Sequence, residues 1–265
     1  MQQSNGYVIG FAVAMTVIIG GLLATVKVVL KERQDTEIAL DTKKQILQAV
    51  GVTGDDKQAL AAIYKERIQS VVVNAQGEQV SDFGAKSPED VSVQANWKVM
   101  KKQVAALKGG DKKASIDYTS VNDVNLPIFK FMKEGSKTEV EAYILPVYGY
   151  GLWNDIWGYV AMNPDMKTIK GAVFGHAGET PGLGARMSDA DVQDRYQGKS
   201  IVENGKISPV LMMKGEGNTG ISDNEVDGMS GATLTRDGLN EMMVNYLNLY
   251  EPYMQKIRGN AVSLR

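Results

Sequence analysis

Residues 141–165 read EAYILPVYGYGLWNDIWGYVAMNPD, the most aromatic stretch of this 265-residue chain. Its apolar pieces have the length of β-strands and are separated by glycines. Pro146, Asn154 and Asp155 argue against a membrane-spanning helix, because a bilayer core leaves exposed backbone polar groups without partners. The stretch therefore predicts two neighbouring strands around a glycine-rich turn.

Helical and strand patterns flank this hairpin on both sides. Amphipathic helix patterns cover residues 38–50, 55–69 and 237–257. The first of these helices is predicted to stop at Gly51. Short strands are predicted at 71–73 and 169–174, turns at Gln76-Gly77 and Asn125-Leu126-Pro127, and a polar loop up to Glu89. These patterns predict an α+β fold: one N-terminal transmembrane helix followed by one mixed α/β domain.

The N-terminal segment predicts a membrane anchor. Tyr7–Val26 holds 20 residues without a charged side chain, enough to span roughly 30 Å as a helix. A cleavable signal peptide is the competing interpretation, but the leader MQQSNG lacks the basic residues that such a peptide carries. We expect a tail at 1–6, a transmembrane helix at 7–28 and one domain at 29–265.

Composition excludes several functional classes. The chain has no cysteine and one histidine, His176, which excludes iron–sulfur clusters, zinc fingers, disulfide scaffolds and cysteine-based catalysis. A carboxylate-rich Mg²⁺ or Ca²⁺ site stays open on composition alone, although no residue is assigned as a metal ligand. The net charge of −2 gives no indication of nucleic-acid binding.

Three segments stand out as places for chemistry. Residues 148–153 (YGYGLW) suit either a tight hairpin with core aromatics or the close approach of a planar ligand. Residues 176–184 (HAGETPGLG) suit a surface turn or a ligand-wrapping loop. Residues 227–235 (DGMSGATLT) precede the last helix, where the same geometry serves as an N-cap or as an anion site.

The sequence disfavours a hydrolase interpretation of the third segment, although a chymotrypsin-like order of residues stays formally allowed. Gly228-Met229-Ser230-Gly231-Ala232 approximates the nucleophile-elbow motif, in which the serine precedes its histidine in α/β-hydrolases. The only histidine lies 54 residues before Ser230, and no other feature supports hydrolysis.

Taken together and in order, the motifs LPVYGYGLW, H-x-x-E-T-P-G-L-G and D-G-M-S-G-A-T carry a family resemblance. Over essentially its whole length the chain resembles the C subunits of the Na⁺-translocating NADH:quinone oxidoreductases, bacterial inner-membrane complexes. The third motif is similar to the flavinylation signature D-x-x-(S/T)-G-A-T, whose final threonine carries FMN. The related G subunits of the Rnf ferredoxin:NAD complexes share the anchor, the loop and the signature, but LPVYGYGLW favours the sodium pump.

The resemblance implies one covalent FMN per chain, attached to Thr233 through a phosphoester that a flavin transferase makes from FAD. Thr235 lies outside the signature and is expected to cap the helix that begins near Asp237. No residue is expected to be catalytic in the sense of turning over a substrate. The other residues implied in FMN binding are Asp227 and Ser230 for recognition or orientation, Gly231 and Ala232 for access, Gly151, Leu152, Trp153, Glu179, Thr180, Gly182 and Leu183 for the ring, His176 for holding the loop, and Lys214 near the phosphate.

The resemblance also implies a function, partners and a location. The family's complexes pass electrons from NADH to ubiquinone and pump Na⁺. This chain would relay electrons among the A, B, D, E and F subunits, with B and the D/E pair closest. The lipid bilayer is a further partner, and no nucleic acid is expected. The family places the domain in the periplasm, whereas Lys27, Lys31 and Arg33 after the helix favour the cytoplasm.

Two alternatives stay open on the sequence. The chain is either the FMN-carrying subunit of an Rnf-type ferredoxin:NAD oxidoreductase or, in a different class, a membrane-anchored binding or scaffold domain without a redox role.

Overall fold

A computed structural model describes residues 4–111 and 114–263, with side chains up to Gly259. It divides into two compact units, Met1–Lys44 and Gln45–Arg265. The expected tail at 1–6 lies partly outside the described residues, and the described part of it is already helical from residue 5. The expected domain at 29–265 likewise ends two residues beyond the described chain.

The first unit consists of a long helix, α1, which covers Asn5–Ala49 and continues into the second unit. By length and composition α1 can cross a membrane, and its apolar window is exposed throughout. We expected a break after residue 28 and a separate amphipathic helix at 38–50, but the helix is continuous. Residues 27–37 contain no glycine or proline and several strong helix formers, so nothing interrupts the hydrogen-bond ladder.

The end of α1 confirms the predicted stop at Gly51. That glycine adopts a left-handed conformation with φ of 86°. The N–H of Val52 donates to the carbonyl of Leu47 at 3.0 Å, and the N–H of Gly51 donates to Gln48 at 2.9 Å. This pair of bonds is the Schellman arrangement that terminates helices at glycine.

An antiparallel five-stranded sheet forms the centre of the second unit, in the order β1-β2-β3-β4-β5. The predicted hairpin is confirmed, with Tyr150 paired with Asp155 across the turn at 151–154. The strands are β1 Ile68–Val73, β2 Leu126–Met132, β3 Val140–Tyr150, β4 Asp155–Met162 and β5 Ile169–His176.

The predicted turn at Asn125-Leu126-Pro127 is wrong, because β2 begins at Leu126. Pro127 is paired with Val72 of β1, whereas the pairing of β2 with β3 begins only at Phe129. Proline has no N–H to donate, and the start of a strand is where that loss costs least.

Helices cover both faces of the sheet. The end of α1 and α2 (Lys57–Arg67) pack against one face, and α3 (Val93–Lys108) and α5 (Thr233–Ser263) contribute to the core on the other. The sequence reasoning missed α3, whose buried face contains Asn96, Met100 and Val104 at helical spacing. The polar Asn96 on that face hides the apolar period.

Irregular chain and short elements connect β5 to α5 and build the site. They are α4 Ala190–Gln193, β6 Val202–Glu203, β7 Lys206–Ile207, β8 Leu211–Met212 and β9 Glu225–Val226, with short 3₁₀ turns beside them. Strands β8 and β9 pair in parallel. This pairing brings the loop 213–220 next to the segment 227–232 that leads into α5.

Candidate functional site

The three segments singled out in the sequence meet at one cavity of about 200 Å³. The turn at 151–154, the loop 176–184 and the start of α5 each contribute to its wall. The lining residues are Leu152, Glu179, Thr180, Leu183, Gly184, Gly231, Ala232, Thr233, Leu234 and Thr235.

Thr233 occupies the first turn of α5. The helix begins at Thr233 and not near Asp237 as expected, so this half-buried residue lies at the helix N-terminus. The helical hydrogen-bond ladder starts with the N–H of Arg236, which donates to the carbonyl of Ala232 at 2.9 Å. The N–H groups of the preceding residues have no acceptor within the helix, and with the helix dipole they favour an anion beside Thr233.

Thr235 does not cap the helix, contrary to expectation. It is the third residue of α5, only 1% exposed, and its hydroxyl donates to Oε2 of Glu179 at 2.6 Å. Two helical steps turn Thr233 from Thr235 by roughly 200° around the axis. Thr233 is accordingly half-buried, whereas Thr235 is fully buried, although both line the cavity.

Glu179 joins the three segments through its buried carboxylate. Besides the Thr235 hydroxyl, it accepts from the N–H of Trp153 at 2.9 Å through Oε1. Burial raises the pKa of Glu179, but the Thr235 hydroxyl and the N–H groups of the 152–154 turn outweigh it, so the pKa lies below its usual value. The carboxylate therefore stays ionised.

Two glycines allow this close packing. A Cβ on Gly151 would lie 2.5 Å from Oε1 of Glu179, and a Cβ on Gly184 would lie 2.3 Å from Oγ1 of Thr235. Neither distance is compatible with a side chain, so both positions require glycine for the carboxylate to reach its donors.

Exposed apolar side chains form a rim around the cavity, which we define as Leu152, Trp153, Leu183 and Leu234. Trp153 is 62% exposed and Leu234 is 58% exposed. The indole of Trp153 is oriented by its Nε1–H, which donates to Oγ1 of Thr180 at 3.2 Å. An apolar rim next to a helix N-terminus suits a ligand that has both a flat apolar part and an anionic group.

Asp227 holds the loop 213–220 against the segment before α5. Its Oδ1 accepts from the N–H of Asn218 at 3.0 Å and of Gly228 at 2.9 Å, and its Oδ2 accepts from the N–H of Gly217 at 2.8 Å. Burial raises the pKa of Asp227, but these donors and the Asn218 amide lower it to about 2. Asp227 therefore fixes the segment before α5 by binding a neighbouring loop.

Arg195 and Glu216 reinforce this arrangement, and the sequence reasoning missed both. The Arg195 guanidinium donates to the backbone carbonyls of Asp227 and Gly228 and to Oε1 of Glu216. Glu216 also accepts two bonds from Arg186, at 2.7 and 2.8 Å, which together with Arg195 lower its pKa to about 2. No short-range pattern links these residues, because they are far apart in the sequence.

The remaining residues named from the sequence take outer positions. His176 accepts the N–H of Glu179 through Nδ1 at 3.2 Å, which fits a role in holding the loop. Gly182 adopts φ of 75° in that loop, and Ser230 is exposed beside Gly231. Lys214 is exposed on the loop 213–220 and does not line the cavity.

Within residues 4–111 and 114–263, no group of three or more His, Asp or Glu side chains is arranged to hold a metal ion. The features that the site does offer to a ligand are the helix N-terminus, the apolar rim and the Glu179 carboxylate.

The Asp227→Asn variant is expected to be less stable than the unmodified protein at neutral pH, by about 2 kcal/mol. The pKa of Asp227 is lower in the folded chain than its ordinary value of 3.8, so its stabilisation is present above pH 4 and lost as the pH falls towards 2. The difference in thermal midpoint between the two proteins should narrow across that window. An equal difference at every pH would contradict the assignment.

Comparisons with known proteins agree with this geometry. The model of the FMN-binding domain family matches residues 151–248, which include all the residues that line the cavity. The C subunit of the Na⁺-translocating NADH-quinone reductase from Haemophilus ducreyi is 30% identical, over 94% of this chain and 93% of that protein. The corresponding protein from Neisseria meningitidis serogroup B is also 30% identical, over 93% and 92%.

A solved structure extends the similarity to the fold. The crystal structure of the C subunit of the Na⁺-translocating NADH-quinone reductase from Parabacteroides distasonis superimposes with a TM-score of 0.65 at 29% identity. The match covers 85% of this chain and 96% of that chain. On the sequence and structural similarity together, this chain belongs to the family of C subunits of the Na⁺-translocating NADH-quinone reductases.

Proposed function

We propose that Thr233 carries FMN through a phosphoester bond and that the chain relays electrons within a Na⁺-pumping NADH:ubiquinone oxidoreductase. One observation carries the proposal: the half-buried Thr233 lines the cavity at a helix N-terminus beside the apolar rim, in the region that the FMN-binding family model matches. Membership of the reductase family supplies the complex in which such a relay would operate.

The residues present fit both halves of FMN. The free N–H groups in the first turn of α5 suit the negative charge that a phosphodiester retains. The rim offers flat apolar contacts for an isoalloxazine, with Leu152 and Leu183 each 42% exposed. The backbone of the 151–154 turn and of the loop 179–183 supplies donors and acceptors for the edge of the ring.

The attachment step follows from the position of the hydroxyl. The Thr233 oxygen forms a bond to the FMN phosphorus of FAD while the pyrophosphate P–O bond breaks, AMP leaves, and the hydroxyl proton passes to a base of the transferase. Gly231 is exposed and Ala232 is small, so little bulk stands between a transferase and Thr233. The buried Thr235 hydroxyl is not accessible in this way.

Bound FMN supplies one- and two-electron transfer at this site. The rim would hold the FMN and the 151–154 turn would orient it, while the N–H groups of that turn keep Glu179 ionised in the cavity wall. The exposed rim leaves the site open towards other proteins of the complex. Among these we propose the B subunit and the D/E pair as the neighbours, in an assembly that also contains A and F.

Intact-mass measurement and peptide mapping of the full chain, produced together with a flavin transferase, test the proposal. We expect one FMN per chain on the peptide that contains Thr233 and ultraviolet fluorescence in the denatured gel band. A dark band would overturn covalent attachment. Co-purification with subunits of a ferredoxin:NAD oxidoreductase, instead of the sodium pump, would overturn the assignment to the pump.

We propose further that α1 anchors the chain in a bacterial inner membrane with the folded domain in the periplasm. The supporting observations are the exposed apolar window of α1 and the family membership. The charges of Lys27, Lys31 and Arg33 oppose this orientation, but the positive-inside rule weakens for long translocated domains.

Protease added to intact spheroplasts is expected to degrade the domain while a cytoplasmic control protein survives. The expected result follows because only the periplasmic face is accessible before lysis. Degradation that begins only after lysis would reverse the orientation.

A further inference from the structure

Glu179 brings a full negative charge to the cavity wall. Of the ten lining residues, all within the described chain, it alone has an ionisable side chain. It is 4% exposed, so water screens its charge poorly. Any group held in the cavity therefore lies close to an unscreened carboxylate.

The partners of Glu179 stabilise this charge without neutralising it. They are a hydroxyl and backbone N–H groups, which are neutral donors. The nearby Glu216, in contrast, is paired with the guanidinium groups of Arg186 and Arg195. Glu179 therefore keeps its charge of −1, because none of its own donors carries a positive charge.

We propose that the Glu179 carboxylate lowers the reduction potential of the flavin at Thr233, an inference that rests on the proposed function. An electron that the site accepts without a proton adds negative charge beside a carboxylate already held negative, and like charges in a poorly screened site repel. Glu179 thereby favours the oxidised state and makes the site a stronger electron donor. Its bonds to the 152–154 turn and to α5 fix the carboxylate in place for this role.

The test is a spectroscopic redox titration of the flavin in the full flavinylated chain, purified in detergent. Glu179→Gln keeps the shape and removes the charge. We expect the ratio of reduced to oxidised flavin at a fixed potential to rise about tenfold. Removing a unit charge about 10 Å away has an effect of this size at an effective dielectric constant of about 20. For a one-electron couple this is a shift of about 59 mV.

A second variant separates electrostatics from packing. Thr235→Val keeps the carboxylate and removes its hydroxyl donor, so the charge is less well compensated and the potential should fall. A purely structural role would shift the two variants in the same direction, because both loosen the site. Opposite shifts support the proposal, and shifts in the same direction overturn it.

Glu241→Gln serves as the matched control. It removes the same charge from an exposed position on α5, where water screens it, and should leave the potential unchanged.

A flavinylated Glu179→Gln chain with an unchanged potential would overturn the inference while leaving the proposed function intact. If Glu179→Gln takes up no flavin, Thr235→Val decides, with an unchanged or raised potential counting against the role of the carboxylate.

Discussion

Replacing Thr233 with alanine is expected to abolish covalent flavin attachment completely. The substitution removes the oxygen that forms the phosphoester, and no other hydroxyl in the first turn of α5 has the same access. The measurement is ultraviolet fluorescence of the denatured band together with the intact mass of the full chain. The fold should be retained, because alanine is a strong helix former and Thr233 is only half-buried.

Thr235 should not take over the role of Thr233. Its hydroxyl is 1% exposed and already donates to Glu179 at 2.6 Å, so a transferase cannot reach it without unwinding the first turn of α5. Thr219→Ala, which changes an exposed threonine on the loop 213–220, is the matched control and should retain the flavin. Fluorescence that persists in Thr233→Ala would place the attachment site on another residue.

Replacing Gly238 with alanine is expected to destabilise the domain by about 2 kcal/mol, although alanine favours helices. A Cβ on Gly238 would lie 2.2 Å from the carbonyl oxygen of Tyr150, a backbone atom that cannot turn away. Because the clash is with a backbone atom, we take the upper end of the overpacking cost, about 3 kcal/mol. The gain of about 1 kcal/mol in helix propensity offsets only part of it. The thermal midpoint should fall by about 4–8 °C, at about 2–4 °C per kcal/mol for a domain of this size.

Flavin incorporation should fall in the same variant. The clash pushes the start of α5 away from the end of β3, and Thr233 and the 151–154 turn lie on the two sides of that contact. Gly259→Ala, in the same helix with open space around the glycine, is the control: it should keep the flavin and leave the thermal midpoint equal or higher. Equal effects of the two substitutions would refute close packing at Gly238.

The fold could be predicted in part because several of its signals are local. The hairpin β3–β4 was recoverable from strand-sized apolar pieces around a glycine-rich turn, and the stop of α1 from Gly51. Helix α3 could not be recovered, because Asn96 interrupts its apolar face for a reason that lies elsewhere. Its side-chain oxygen accepts the N–H of Asn125 at 3.0 Å, a residue 29 positions away.

The candidate site shows the same division. The prediction for Thr233 rests on a short motif, because the signature and the helix after it are adjacent in the sequence. The role of Thr235 was wrong, because its partner Glu179 lies 56 residues away. Arg195 and Glu216 carried no signal at all, since charged residues at such separations resemble an ordinary solvated surface.

By itself the sequence determined the apolar N-terminal segment, the central hairpin and the presence of a terminal helix after the motif that contains Thr233. Each of these features depends on residues that are close together in the sequence, where the apolar periodicity and the positions of glycines predict the secondary structure. Only the tertiary structure decided that the segments around 152, 179 and 233 share one cavity, that Asp227 binds a loop, and that Glu179 faces Thr235. These contacts join distant parts of the chain, and their energies depend on burial and distance, which no local pattern contains.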